Sequence, residues 1–441
     1  MNMDDIDKAL AGARAGQDLH DLVAELYPIC RSITGNGVRE TLRHIQQRIP
    51  LRIEEVESGT PVFDWVIPKE WNIRDAYVAT TRGERVIDFR KHNLHVVSYS
   101  VPVRGRFSRR ELEAHLHTLP DRPDWIPYRT SYYKENWGFC LTHRQLADMQ
   151  EAEYDVCIDS TLDQGHLTYG ELLIPGRLEA EVLVSCHVCH PSLCNDNLSG
   201  VAVATQLAQI LAASQRKYSY RFVFIPGTIG SITWLSKNQA RAKLIQHGLV
   251  LTGIGDRGAL TYKRSRQGSA CIDRAVAHVL KYSGKDFRVI DFIPYGYDER
   301  QYCSPGFNLP VGCLMRTPHG EYPEYHTSAD NLEFVRPQAL QESLATVLKV
   351  LHVLENNITV MSANPYCEPQ LGKRGLYRTV AGQKEGASKE MALLWVMNLA
   401  DGQHSLLDIA ERADTPFEVI RAAAEALARH ELVKETSGAH T

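Results

Sequence analysis

A chain of 441 residues, 44% hydrophobic and 23% charged, has an ordinary globular composition, with material for about three domains. Its 49 Lys and Arg against 53 Asp and Glu leave a net charge of −4, which excludes a global basic field for nucleic acid along with the supercharged and disordered classes. No apolar run approaches the ~20 residues that span a bilayer, and the acidic, helix-like start MNMDDIDKALAGARAG lacks the layout of a secretory signal. The expectation is a cytoplasmic protein with no membrane partner, its ten cysteines kept as thiols rather than as a disulfide framework.

Leu19, Leu22, Val23 and Leu26 recur at helical spacing, and the turn-like TGNG of 34–37 leads into a second helix through Leu42 and Ile45. From Pro61 to Met149 short runs such as VIDF and LHVVSYSV, amid many Pro, Trp and Tyr, predict a small mixed or β-rich domain. From Glu181 strands alternate with helices. EVLVSCHV, RFVFIPG, GLVLTGIG, FRVIDF and VGCLMR read as strands; SGVAVATQLAQILAAS, TIGSITWLSKN, CIDRAVAHVLKYSG and PQALQESLATVLKVLHVLEN read as helices. That alternation predicts an α/β domain around a largely parallel sheet. The expected boundaries are 1–60 and 153–365 for the core, 61–152 for the insert, and 366–441 for a linker and C-terminal module. The module's three short helices and final strand have a winged-helix layout. Across 391–441 it carries four Lys/Arg against eight Asp/Glu, the opposite of what phosphate binding requires, so no nucleic-acid partner is expected and its last helix reads as a packing or oligomerisation surface.

Sites in such sheets lie beyond the carboxyl ends of the strands, which directs attention to three loops. HPSLCNDNLSG brings His187, His190 and Asp196 to the end of a buried strand, a donor set that suits a zinc-type metal; the plainer reading is a polar turn with Asp196 or Ser199 as a helix cap. PYGYDERQYCSPG brings Asp298 and Glu299, and EYPEYHTSADN brings His326 between Glu324 and Asp330. Singly, Asp298 reads as a loop acid and His326-Thr327-Asp330 as a cap. Three such loops on one sheet point to one site. Cys186, Cys189 and His190 also fit a Cys-x-x-Cys-His haem pattern, and Cys186, Cys189 and Cys194 a Cys-rich zinc site. A buried strand end argues against the first, and the lack of a second Cys pair against the other. Lys263, Arg264 and Arg266 in YKRSRQG read either as a solvated basic turn or as a binder of an anionic substrate group. Trp65, Trp71, Trp125 and Trp137 of the insert read as core, or as a cap over the cleft.

The histidine, Asp-Asn-Leu-Ser-Gly, the later Asp loop and Tyr-His-Thr resemble the zinc aminopeptidases, a group that includes glutaminyl-cyclase-like enzymes. More closely, the chain is similar to bacterial aminopeptidase-like proteins associated with polysaccharide or secondary-metabolite gene clusters. The matching stretches are RSITGNGVRETL, SGTPVFDWVIPKEWNIRDAYV, CHPSLCNDNLSG, YKRSRQG, DERQYCSPG, EYHTSADN and EPQLGKRGLY, between residues 31 and 376. The resemblance implies an α/β fold, a mostly parallel mixed sheet flanked by helices, with a β-rich insert and a winged-helix-like end. It implies one or two zinc ions, with Asp196 central, Asp298 and His326 on either side, and His190 of the CHP motif, or alternatively His187, as a further ligand. The implied activity is hydrolysis of an amide bond of a small aminoacyl or peptide substrate in a biosynthetic pathway. Lys263, Arg264, Arg266 and Tyr325 are the substrate-binding candidates, and self-association is left open.

One position departs from that pattern. Relatives usually carry glutamate in a Pro-Glu-Thr-Ile-Gly-Ser context, where this chain has Pro226-Gly227-Thr228-Ile229-Gly230-Ser231. Glycine supplies neither a base nor a ligand, and loss of a general base costs about 10²–10⁴ in rate. Glu299 and Glu324 are the candidates to replace it; the other expectation is a catalytically impaired homologue acting as a binding or assembly partner.

Overall fold

The computed structural model describes residues 14–376 and 384–436, with Ile6 and Leu10; most of the acidic start and part of the 363–379 linker lie outside the described residues. The first two helices, Ala15–Leu26 and Asn36–Gln46, bury Leu19, Leu22, Val23 and Leu26, then Val38, Leu42 and Ile45, as their spacing predicts. The turn between them needs glycine: Gly35 has φ 97°, and a Cβ there would lie 2.0 Å from the Trp71 carbonyl oxygen.

The core is one eight-stranded mixed sheet. Its order is Arg52–Glu57, His166–Ile174, Ser219–Ile225, Glu181–His187, Ile245–Leu251, Val311–Met315, Leu260–Lys263, Phe287–Ile290. The four strands from Ser219–Ile225 to Val311–Met315 run parallel. Their near-continuous apolar runs are the signature of strands covered on both faces. The first two strands join antiparallel, and Leu260–Lys263 is antiparallel to Val311–Met315. The helix Ser199–Ala212 returns the chain from strand Glu181–His187 to Ser219–Ile225.

The insert forms a separate antiparallel sheet in the order Arg85–Asp88, Glu70–Thr80, Glu153–Asp163, Val103–Ser108. It therefore runs to Asp163, past the expected boundary at 152, because Glu153–Asp163 pairs along the whole of Glu70–Thr80. LHVVSYSV is not the strand it resembles. Asn93–His95 is a 3-10 turn, and Tyr99 sits at φ 74°, which no extended run accommodates. Seven of the ten cysteines are buried and all ten are unbridged.

The C-terminal module begins earlier than residue 366. Thr359–Ser362 is the middle strand of a three-stranded sheet, antiparallel to Asp401–Ser405 and Val433–Glu435. Helices Lys384–Leu399, Leu406–Arg412 and Phe417–Arg429 accompany it, the second opened by a Ser405–Asp408 capping box. Residues 274–285 and 346 onward form one compact unit, and 4–273 with 286–345 the other. Within the first, Arg274 is bonded to Asp408 and Glu411, and His278 accepts from the Phe417 amide at 3.0 Å. Among the described residues no helix is long and apolar enough to cross a membrane.

Candidate metal centre

Strand Glu181–His187 delivers His187 to the carboxyl end of the sheet, and the chain then turns through His190 into Asn195-Asp196-Asn197 before the helix begins at Ser199. The polar side chains of this motif divide their labour. Asn195 accepts from the Gly255 amide (2.8 Å) and donates to Asp256 (3.0 Å). Asn197 donates to the Leu251 carbonyl (2.9 Å), and Ser199 to the Asn195 carbonyl (2.7 Å). Ser199 also accepts from the Ile254 amide at 3.1 Å, so all three side chains tie the motif to the end of strand Ile245–Leu251 and the loop after it. Gly200 lets them pack, since a Cβ there would lie 2.4 Å from the Leu251 oxygen. From the third loop the Asp330 carboxyl accepts the Asn195 and Asp196 amides at 2.6 and 2.9 Å. Burial pushes Asp330 up to about 8, against the pull of those two N–H groups.

With its neighbours so engaged, Asp196 is the member of the motif aimed at the histidines. Its Oδ1 lies 2.8 Å from His187 Nε2, and its Oδ2 lies 3.0 Å from His326 Nε2 and 4.0 Å from His190 Nε2. Asp196 is fully buried. Burial opposes its charge, yet the His190, His187 and His326 rings outweigh that and hold the carboxyl well below its ordinary range. Burial lowers His190 to about 3, which leaves a neutral imidazole with a lone pair to give. Donor atoms of His187, His190 and Asp196 lie within 4.8 Å of one another. Asp298 faces the same space: Ser231 donates to its Oδ1 at 2.7 Å, while its Oδ2 is buried without a hydrogen-bond partner. An orphaned carboxylate oxygen beside imidazoles is the donor chemistry a divalent metal takes, so these residues fit one.

The position of the expected glutamate opens on this space. A Cβ at Gly227 would lie 3.2 Å from His187 Cβ and 3.3 Å from Asp298 Oδ2, so a side chain there would start between two candidate ligands. Glu299 is sealed off, 0% exposed, with Oε1 bonded to buried Lys263 at 2.7 Å. Lys263 is thus the last residue of a sheet strand with an internal partner, not part of a basic loop. Arg264 donates to the Gly268 carbonyl and Arg266 to Asn308. Glu324 is half-buried in the loop that supplies His326. Tyr325 stacks on His326 with ring centroids 3.9 Å apart, and Tyr297 on His187 at 5.2 Å.

Three contributors escape a reading of motifs alone. Tyr128 of the insert sets its ring edge against His190 and His326, at 5.2 and 5.1 Å, and its amide donates to the His326 carbonyl. A bridge between Pro127 and Thr327 holds it there, which no local signal announces. Arg31, buried, donates to the His190 carbonyl at 2.9 Å; its signal was the RSITGNG stretch. Asp330 was visible in HTSADN, where it reads as a cap instead of a clamp on Asn195 and Asp196. The three clustered cysteines are buried, unbridged thiols, Cys189 pushed up to about 12 by that burial.

Residues 20–357 match the family described as a domain of unknown function (DUF4910), and residues 358–435 match a winged helix-turn-helix. A Clostridium acetobutylicum protein, whose name carries polysaccharide biosynthesis and an aminopeptidase-like domain, is 53% identical over 98% of this chain and 100% of its own length. A crystal structure from the same organism, named as a peptidase, superposes with a TM-score of 0.94 at 52% identity, covering 99% of this chain and 100% of that one. A zinc aminopeptidase of Bacillus subtilis gives a TM-score of 0.56 at 12% identity, over 77% of this chain and 94% of that one. A peptidase M28 precursor of Shewanella amazonensis gives 0.54 at 14%, over 80% and 96%. The last two share the fold. A mixed sheet of aminopeptidase type, three loops converging on Asp196 and a separate winged-helix end thus meet in one chain, which belongs to the DUF4910 family.

Proposed function

We propose that the protein is a zinc-dependent hydrolase that cleaves an amide bond of a small aminoacyl or peptide substrate within a cytoplasmic biosynthetic pathway. The observation that carries this reading is the buried Asp196 carboxylate faced by His187, His190 and His326, with the partnerless Asp298 oxygen beside them. Those five residues would hold the metal, which when bound acts as a Lewis acid and lowers the pKa of water. Asp330 and Asn195 fix Asp196 so that its carboxylate does not reorient as charge develops. Tyr128, Tyr297 and Tyr325 wall the histidines and exclude water around the scissile group. With no side chain at 227, Glu324 is better placed than Glu299 to carry a proton, since Lys263 holds Glu299 in the interior. The polysaccharide-biosynthesis name of the C. acetobutylicum relative supports the pathway, and ten unbridged cysteines suit a reducing compartment.

Gly227 favours a second reading, a site that binds metal and ligand without turnover. Metal content per chain and hydrolysis of aminoacyl p-nitroanilides, measured on the wild type, Asp196→Asn and Gly227→Glu, separate the two. Bound zinc and hydrolysis in the wild type, both lost in Asp196→Asn, is the outcome expected of the enzyme. Zinc without hydrolysis, with turnover gained only in Gly227→Glu, establishes the second reading. A wild type that holds no metal overturns both.

A further inference from the structure

Away from the histidines, three arginines line a cavity of about 550 Å³ at the start of the twenty-residue helix Pro337–Asn356. Arg316 is 7% exposed and rigidly placed: Nε donates to the Gly258 carbonyl at 2.8 Å and Nη1 to the Ala339 carbonyl at 3.0 Å. Its Nη2 reaches only Glu342, at 3.3 Å. Arg336 has its Nε shut away from water with no hydrogen-bond partner. Arg257 is exposed, and among the described residues its guanidinium has no ion-pair partner. Asp256, the acid next to it, is taken up by Asn195, Gly258 and Thr317.

Among the described residues the three arginines of this cavity have one acidic neighbour in its lining, Glu342, which bonds Arg316 and also accepts from Gln338 at 3.1 Å. Like charges gathered around a cavity repel one another, and a buried N–H without an acceptor is unfavourable; an anion among them relieves both. The planar guanidinium fork matches phosphate oxygens two at a time, and the positive end of the helix dipole adds to the same field. The cavity has the size of a small-molecule site. We propose that it binds the phosphoryl group of a small phosphate ester, at a site separate from the Asp196 centre.

Calorimetric titration in phosphate-free buffer tests this, with inorganic phosphate, glucose 6-phosphate and citrate as probes, on the full chain and on Arg257→Gln, Arg336→Gln and the double variant. The expected result is saturable binding of the phosphate probes to the wild type, about ten-fold weaker in each single variant and weaker again as salt rises. Tighter binding of the sugar phosphate supports an ester as the ligand. Equal affinity for both phosphate probes locates recognition in the phosphate alone and overturns the ester assignment. Binding of citrate alone, no saturable heat with the wild type, or undiminished affinity in the double variant overturns the site. If Arg336→Gln fails to fold, the exposed Arg257→Gln carries the test.

Discussion

Asp196 shows how one residue is given a role by what its neighbours give up. Asn195, Asn197 and Ser199 hydrogen-bond to the end of strand Ile245–Leu251 and the loop after it, which leaves a buried carboxylate facing three imidazoles. The change Asp196→Asn keeps the shape and removes the charge. Zinc that binds the native state stabilises it by about 2.7 kcal/mol at a hundred-fold excess over Kd. Added zinc is therefore expected to raise the melting temperature of the wild type by several degrees and to leave that of Asp196→Asn unmoved. An equal shift in both places the metal elsewhere.

At the scale of elements, Glu70 fastens the insert to the core. It opens the strand Glu70–Thr80 and accepts both terminal nitrogens of Arg39, from helix Asn36–Gln46, at 2.7 Å each. The His166 amide of the core sheet adds a bond at 2.9 Å. The Arg39 pairing, against the cost of burial, brings Glu70 from 4.5 to about 2. A carboxylate with a depressed folded pKa stabilises above its unfolded value and loses that contribution as pH falls through the folded one. Glu70→Gln is expected to cost about 2 kcal/mol at pH 7. The gap in unfolding temperature from the wild type should narrow below pH 4.5 and close near pH 2. A gap independent of pH would show that packing, not charge, holds the junction. The same junction matters to the site, because the insert that Glu70 secures carries Tyr128 to His190 and His326.

For the molecule as a whole, the winged-helix end raises the question of nucleic acid, since such modules elsewhere place a helix in the major groove. Here the charge runs the wrong way. Arg421 is paired with Glu418 and Glu425, Arg274 with Asp408 and Glu411, and Lys281 with Asp414, all inside the same unit. With eight Asp and Glu against four Lys and Arg across 391–441, the module carries an acidic excess that repels the phosphates of a duplex. Anisotropy of a labelled 20-base-pair duplex at 150 mM salt is expected to stay flat up to about 10 μM protein, short of ordinary non-specific affinity. Saturable binding that weakens with salt would assign this module a DNA role.

The large elements were legible because their signals are local. Helix spacing at Leu19–Leu26, unbroken apolar strands such as EVLVSCH, and polar loops after those strands follow from periodicity and burial alone, and they pointed to Asp196, Asp298 and the histidines. What sequence could not settle were matters of pairing between distant segments. Strand Glu153–Asp163 joins the insert's sheet instead of the core, and Thr359–Ser362 joins the winged-helix sheet, because hydrogen-bonded partners lie scores of residues away. Lys263 looks like part of a basic loop until Glu299 is brought beside it. Whether His187 or His190 stands nearer Asp196 depends on how a strand end meets a turn, and the structure gives 2.8 Å for His187 against 4.0 Å for His190. Residue types and their spacing thus determined which groups could do chemistry. Only tertiary packing decided which of them face one another, because contact and burial are set by distance in space, to which separation along the chain is no guide.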